Sequence, residues 1–236
     1  YPPSPLATHH RIPSQTMATP PDAHIDPHKA LAYWTATPAT THGILGGYPH
    51  VSRLDLRGSR TFLTKLRRRA AAPVGAALPR AVDCGAGIGR VTLGLLAHVA
   101  DAVDVVEPVA RFTDRLPRPH RGDVFNVRLE DWRPARAYDL VWNQWCLGQL
   151  PDAQLVAYLR RVRRVLAPAG WIVVKENLSV DPGGDVFDPT DHSVTRTDGK
   201  FRAIFGQAGL KVVATELQRG MPRELYPVRA YALQPC

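Results

Sequence analysis

Ala81-Val82-Asp83-Cys84-Gly85-Ala86-Gly87-Ile88-Gly89-Arg90 reads as a strand, a glycine turn and the start of a helix. A short apolar run enters three alternating glycines, and Val91 to Val99 then reads as a helix. Glycines allow positive φ and close approach of the backbone to a ligand, and the first N–H groups of a helix are free to bind it. A strand that turns through such a loop into a helix is built to hold a nucleotide-like group. The following strand, Ala102-Val103-Asp104-Val105-Val106, ends at Glu107. An acid about 20 residues beyond such a loop is placed to hold a pair of ribose hydroxyls.

The spacing narrows the ligand. Gly85-x-Gly87-x-Gly89 is not the G-x-G-x-x-G of dinucleotide binders, whose last glycine packs the helix beneath a pyrophosphate. Here Arg90 follows at once, a fixed cation suited to a carboxylate. S-adenosyl-L-methionine has a ribose and a carboxylate and no phosphate. A glycine-rich turn in some other α/β protein is the plainer alternative. The strand before, the helix after and Glu107 together favour the methyl donor, with S-adenosyl-L-homocysteine as its product.

Outward from this loop, strands and helices alternate. Strands are expected at 80–84, 102–107, 123–129, 138–143, 170–176, 210–217 and 227–234. Helices are expected at 88–98, 152–167 and 197–208, with a short one at 109–116 interrupted by Pro117 and Pro119. Runs such as Trp171-Ile172-Val173-Val174 are apolar on both faces, as in parallel sheets. The alternation predicts an α/β fold with one doubly wound, seven-stranded, mostly parallel sheet, Rossmann-like in the manner of class I methyltransferases. An N-terminal helical extension precedes it. Asp26 caps a helix over 26–36 whose Leu31 and Trp34 share a face. Residues 43–48 read as a loop, and a helix over 55–69 buries Leu56, Phe62, Leu63 and Leu66.

Composition bounds the rest. The 236 residues, 44% apolar, suffice for one domain with a full core. No run of about 18 apolar residues exists, so no membrane span is expected. Three widely spaced cysteines, Cys84, Cys146 and Cys236, argue against a disulfide framework or a metal site and for a reducing compartment. The net charge is +9, with five lysines among 30 basic residues. Arg67-Arg68-Arg69 and Arg160-Arg161-x-Arg163-Arg164 raise the question of nucleic acid. The second cluster lies on a helix whose Leu155, Leu159, Val162, Val165 and Leu166 face inward, so its arginines read as a solvated face. Nucleic acid is not an expected partner. Residues 1–24, rich in Pro, Thr, His and Ser, read as a disordered tail without a signal peptide. Met17 is a candidate native start, and residues 25–236 form the folded domain.

In open α/β sheets, ligands bind beyond the carboxyl ends of the strands. That rule gathers the glycine loop, Glu107, Leu129-Glu130, Gln144-Trp145 and Glu176-Asn177 at one rim. Gln144 donates and accepts, and Trp145 offers a broad apolar plate. Core packing is the ordinary fate of a tryptophan, but a strand end beside the cofactor loop favours a substrate wall. In the long segment after the fifth strand, Asp188-x-x-Asp191-x-Ser193 reads either as oxygens around a cation or as solvated turn acids.

These stretches carry a resemblance. Tyr33-Trp34, Gly43-Ile44-Leu45-Gly46-Gly47-Tyr48, Asp83 to Arg90, Gln144-Trp145, Lys175-Glu176-Asn177, Asp188-x-x-Asp191-x-Ser193 and Glu224-Leu225-Tyr226 resemble the eukaryotic protein α-N-terminal methyltransferases. Those enzymes methylate the amine of X-Pro-Lys termini after Met removal. The resemblance covers roughly residues 30–235. It implies that Gly85, Gly87 and Arg90 hold the methionine part of the donor, that Glu107 takes the ribose, and that Leu129 and Glu130 line the adenine. Gln144 and Trp34 then close the donor pocket. Trp145 faces the substrate's second-position proline and Asn177 its first carbonyl. Asp188, Asp191 and Ser193 meet the terminal amine and the third-position Lys or Arg. Leu45, Gly46 and Tyr226 line a peptide channel to which residues 25–70 contribute. Asp191 and Asn177 are the expected catalytic residues, and no metal is expected. The implied enzyme is a cytoplasmic or nuclear monomer that needs no membrane.

One departure stands out. Family members carry a His four residues after the Gln-Trp tryptophan, credited with assisting deprotonation. Here that residue is Gln149, whose amide takes up no proton at neutral pH. Two other readings follow: a non-catalytic protein that keeps the fold to bind basic N-termini or nucleic acid, which Gln149 and the +9 charge would support, and a methyltransferase of the same fold acting on a small molecule.

Overall fold

The computed structural model describes residues 19–70, 76–114, 116–117 and 121–236. Seven strands form one sheet: β1 (Leu78–Cys84), β2 (Ala100–Val106), β3 (Arg121–Phe125), β4 (Tyr138–Gln144), β5 (Leu166–Asn177), β8 (Leu210–Leu217) and β9 (Val228–Pro235). A separate two-stranded hairpin pairs β6 (Val186–Asp188) with β7 (Ser193–Thr195). The main sheet runs β3-β2-β1-β4-β5-β9-β8. The first five strands are parallel, and β9 is antiparallel to both β5 and β8. This is the expected doubly wound α/β architecture. The strand order reverses between β1 and β4, where Cys84 stands beside Asn143. That switch point opens the crevice for a ligand.

The sheet buries both faces because its strands alternate. On β4, Val141 packs in one cluster with Leu155, Leu159, Phe201 and Phe205. Its neighbours Leu140 and Trp142 point the other way, onto Phe62, Leu63, Leu66, Leu95 and Leu96. The first cluster is covered by α6 (Asp152–Arg163) and α7 (Asp198–Gln207), the second by α3 (Val51–Arg69) and α4 (Arg90–Gly94). Helices α1 (Pro27–Ala36) and α2 (Thr41–Ile44) precede α3, and the single turn α5 (Ala110–Thr113) follows β2. Asp26 caps α1 as expected, accepting from the N–H groups of His28 and Lys29.

Several boundaries differ from the expectation. Pro21–His24 form a 3-10 turn inside the expected tail, tied down where the Asp22 carboxylate accepts the Asp152 N–H at 3.0 Å. Residues 1–18, including Met17, lie outside the described residues. The expected loop at 43–48 begins as helix, since Thr40 caps α2 through the Gly43 N–H. A side chain at Gly43 would strike the Pro38 carbonyl oxygen. The helix expected from 55 starts at Val51, which is buried.

The helix expected at 88–98 breaks after Gly94 and resumes as a 3-10 turn at Leu96–His98. There Leu56 of α3 packs on the bare glycine, and Arg60 takes the Gly94 carbonyl at 2.9 Å. Helix α6 ends at Arg163 rather than 167: Arg164 and Val165 turn, and Leu166 already pairs with Tyr138 as the start of β5. β3 ends at Phe125, leaving Leu129 and Glu130 in a turn. The long segment after β5 contains the β6–β7 hairpin, whose three-residue strands are too short to show a period.

The basic cluster on α6 is not a free solvated face. Arg160 donates to the Gln207 carbonyl, Arg161 to those of Leu129 and Glu130, and Arg163 to that of Gly209. Among the described residues no helix is long and apolar enough to cross a membrane.

Candidate active site

Two adjoining cavities occupy the carboxyl rim of the sheet. The first is floored by the turn from β1 to α4. Gly85, Gly87 and Gly89 all have positive φ, at 67°, 55° and 76°. A Cβ on Gly85 would lie 2.3 Å from that of Cys146, so no side chain fits. Glu107 closes the far end. Its buried carboxylate accepts the Gly87 N–H at 2.8 Å and the Val109 N–H at 2.9 Å. Burial raises its pKa to about 6 against the pull of those two N–H groups. Leu129 and Glu130 form another wall, and Trp34, Leu31 and Ala30 of α1 form the roof. All eight residues expected to hold the donor line this cavity: Trp34, Gly85, Gly87, Arg90, Glu107, Leu129, Glu130 and Gln144. A bare glycine backbone, a buried acid at one end and a cation at the other suit a ligand with a ribose, an apolar ring and a carboxylate.

The second cavity is a groove lined by Leu45, Tyr48, Trp145, Asn177, Asp191, Ser193 and Tyr226, with Glu176, Phe201, Met221 and Glu224. It shares Trp34, Ile44, Leu45, Trp145 and Gln149 with the first. Two expected groove residues lie outside its lining. Gly46 is exposed in the turn after α2, with φ 54° and open space around it, so its service is to the backbone. Asp188 is exposed, and its carboxylate accepts the Thr190 N–H at 2.8 Å. The Asp191 carboxylate turns inward, accepts the Ser193 N–H at 3.1 Å and meets Gln149 Nε2 at 3.4 Å. Asp188 ends β6 and Asp191 lies in the hairpin turn that follows, each carboxylate accepting the N–H two residues on, and among the described residues no group of three or more His, Cys, Asp or Glu side chains could hold a metal ion.

Trp145 stands between the cavities. Its φ of 53° is unusual for a bulky residue. The conformation follows the end of β4, where the Trp145 N–H still donates to the Lys175 carbonyl. The indole Nε1 donates to Asn177 Oδ1 at 3.1 Å. An indole only donates, so the Asn177 oxygen is its acceptor and the Asn177 amino group faces the groove as a donor. Burial raises the pKa of Asp191, and the negative charge of Asp188 adds to the rise. Glu176 is raised to about 7 by burial, although Leu147 and Cys146 donate their N–H groups to it.

Gln144, expected to close the donor pocket, does line that cavity, but its amide is already engaged by protein. Its Oε1 accepts from Trp142 Nε1, and its Nε2 donates to both oxygens of Asp55 at 2.9 Å. Arg90 is likewise paired with Asp55, at 2.7 Å. Sequence reasoning missed Asp55 altogether, and it assigned no role to Lys175, Glu176 or Glu224. A sequence signal existed for Asp55: an acid on the inward stripe of a helix is out of place unless paired.

Comparison with known proteins places this geometry among relatives. Residues 22–234 match the family described as AdoMet dependent proline di-methyltransferase. The chain is 42% identical over 221 residues to the α N-terminal protein methyltransferase 1 of Schizosaccharomyces pombe, covering 89% of this chain and 99% of that one. It is 39% identical over 214 residues to the N-terminal Xaa-Pro-Lys N-methyltransferase 1 of Rattus norvegicus, covering 87% and 94%. A solved structure of a SAM-dependent methyltransferase from Leishmania major superposes with a TM-score of 0.79 at 36% identity, over 88% of this chain and 82% of that one.

Proposed function

The chain belongs to the AdoMet-dependent proline di-methyltransferase family, and from that membership we propose how its two cavities divide the work. The protein is an S-adenosylmethionine-dependent methyltransferase that acts on the α-amine of protein N-termini. The observation that carries the reading is the shared wall. A methyl held in the first cavity meets an amine held in the second across Trp34, Leu45, Trp145 and Gln149.

In this reading Arg90 receives the donor's carboxylate, Glu107 the ribose hydroxyls, and Leu129 and Glu130 the adenine. Held there, the donor would supply an electrophilic methyl group to the amine, with its thioether as the leaving group. The groove fixes the other reactant. The rigid ring of a second-position proline lies on the Trp145 indole. The Asn177 amino group holds the first carbonyl. Asp191 takes the terminal ammonium, and Asp188 and Glu224 at the mouth attract a third-position Lys or Arg. An α-amine has a pKa of about 7.7–8.0, so near neutrality most of it must lose a proton before it can attack. Asp191 is the carboxylate in the groove that accepts that proton, directly or through water. Gln149 donates a hydrogen bond to Asp191 and takes no proton itself. Positioning supplies much of the remaining acceleration.

The test is mass spectrometry of a Ser-Pro-Lys-starting peptide incubated with the protein and the donor, beside an N-acetylated copy. Mass gains of one to three methyl groups on the free peptide alone are the expected result. Methylation of metabolites but not of peptides would overturn it. The proposed setting is the cytoplasm or nucleus, with the chain acting as a monomer. Imaging of a tagged protein and sedimentation check these two points.

A further inference from the structure

Asp55 lies on α3, outside the alternating strand–helix frame, yet it is completely buried at the rim of the sheet. Its carboxylate collects donors from three other elements. Arg90 Nη1 arrives from the start of α4 at 2.7 Å. Lys175 Nζ arrives from the end of β5 at 2.5 Å. Gln144 Nε2 arrives from the end of β4 at 2.9 Å. The ammonium of Lys175 is completed by Ser59 Oγ, Gln218 Oε1 and the Asp55 carbonyl. The contacts continue beyond Arg90. Its guanidinium lies 5.3 Å from the centre of the Trp145 ring, whose Nε1 binds Asn177.

We propose that Asp55 is a positioning residue: it aims Arg90 at the donor's carboxylate and, through Arg90 and Trp145, couples filling of the donor cavity to peptide binding in the groove. The inference rests on the donor reading of the first cavity. A guanidinium is a planar fork with five donors. Asp55 engages one edge of it and leaves donors for a second carboxylate. Two cations share the one Asp55 carboxylate. The nearby Asp83 is occupied by the Thr92 hydroxyl at 2.6 Å. Arg90 is therefore held in place and still short of anionic partners. The indole that stacks on it sits in a backbone conformation that only its surroundings sustain. A guanidinium drawn toward a ligand carries the indole with it, and the indole carries the Asn177 amide.

A tie that merely held α3 in place would change stability without linking the two ligands. Coupling is the property that distinguishes the roles. The experiment titrates a Ser-Pro-Lys-starting peptide into the protein by calorimetry, with and without saturating S-adenosyl-L-homocysteine. In the wild type the peptide binds at least about fivefold tighter when the donor site is filled. In Asp55→Asn, S-adenosyl-L-homocysteine binds roughly tenfold or more weakly and the peptide ratio falls toward one. A wild-type ratio of one, or an unchanged ratio in the variant, overturns the proposal. Failure of the wild type to bind S-adenosyl-L-homocysteine at all overturns the donor reading instead. Should Asp55→Asn not fold, Asp55→Asn/Lys175→Met removes the orphaned ammonium as well and is read the same way. The wild-type ratio needs no variant.

Discussion

Asp191 and Gln149 concentrate the chemical question in two side chains 3.4 Å apart. Asp191 is the half-buried acid of the groove, and its raised pKa leaves it a better proton acceptor than an exposed aspartate. Asp191→Asn keeps the shape and removes the basicity. Turnover should fall about 10²-fold or more while S-adenosyl-L-homocysteine affinity stays within about threefold. Steady-state kinetics and calorimetry check this, and equal losses in both would reject the assignment. Gln149 stands where the resemblance implies a His. Gln149→His adds a group that titrates near neutrality. The rate at pH 7 should rise, and the acid limb of the pH–rate profile, set in the wild type by the amine itself at about 7.7–8.0, should move down toward the imidazole's value of about 6.5. An unchanged profile would mean that the proton leaves by Asp191 alone. The wild-type profile should rise with pH as the substrate amine deprotonates.

The turn Leu147–Gln149 and the β6–β7 hairpin are small elements, and one buried arginine joins them. Arg196, just past β7, is completely buried and donates to the carbonyls of Leu147 and Leu150 and to the Asp152 carboxylate. Asp152 also binds Lys200, and its N–H is held by Asp22. One guanidinium thus links the turn bearing Gln149, the hairpin bearing Asp191 and the first turn of α6. Arg196→Leu fills much of the volume, leaves the buried Leu147 and Leu150 carbonyls without the donor they had, and leaves Asp152 with Lys200 alone. A loss of about 3 kcal/mol is expected, seen as a fall in the thermal midpoint of several degrees. Turnover should suffer more than donor binding, because the affected elements line the peptide groove. A midpoint within one degree of the wild type, about 0.3–0.5 kcal/mol for a chain of this size, would contradict this.

At the scale of the molecule, buried carboxyls set how stability follows pH. Burial raises Asp83 and Glu107 to about 6 and Glu176 to about 7. The folded chain therefore keeps protons that the unfolded chain has released. The stability these acids contribute is complete below the ordinary carboxylate value and is lost as pH rises through about 6 to 7. Asp55 runs the other way. Burial pushes its pKa up, but Lys175 and Arg90 outweigh burial and hold it low. Its contribution is present above the ordinary value and disappears on acidification. The thermal midpoint should peak near about pH 5 and decline toward pH 8. Glu176→Gln should flatten the upper part of that decline, and a midpoint that climbs from pH 5 to 8 would refute the account. Much of this molecule was legible in its sequence. The glycine loop, the alternation of strands and helices, and the gathering of Glu107, Leu129, Glu130 and Gln144 at one rim follow from local rules, whereas Trp34 was placed beside them only through the family resemblance. Glycine spacing dictates backbone conformation, and side-chain period dictates which face is buried, wherever the rest of the chain lies. Helix breaks and short hairpins were less legible. The break at Gly94 depends on Leu56 and Arg60 arriving from α3, and the β6–β7 strands are too short to carry a period. Local pattern was thus enough for the architecture and for the polar rim of the sheet. Which rim residues turn to one another became visible in three dimensions alone. Gln144 and Arg90 are both turned to Asp55, and Asp55 meets Lys175 across 120 residues of chain. A buried charge must find its partner in space, and no local pattern records where that partner will be.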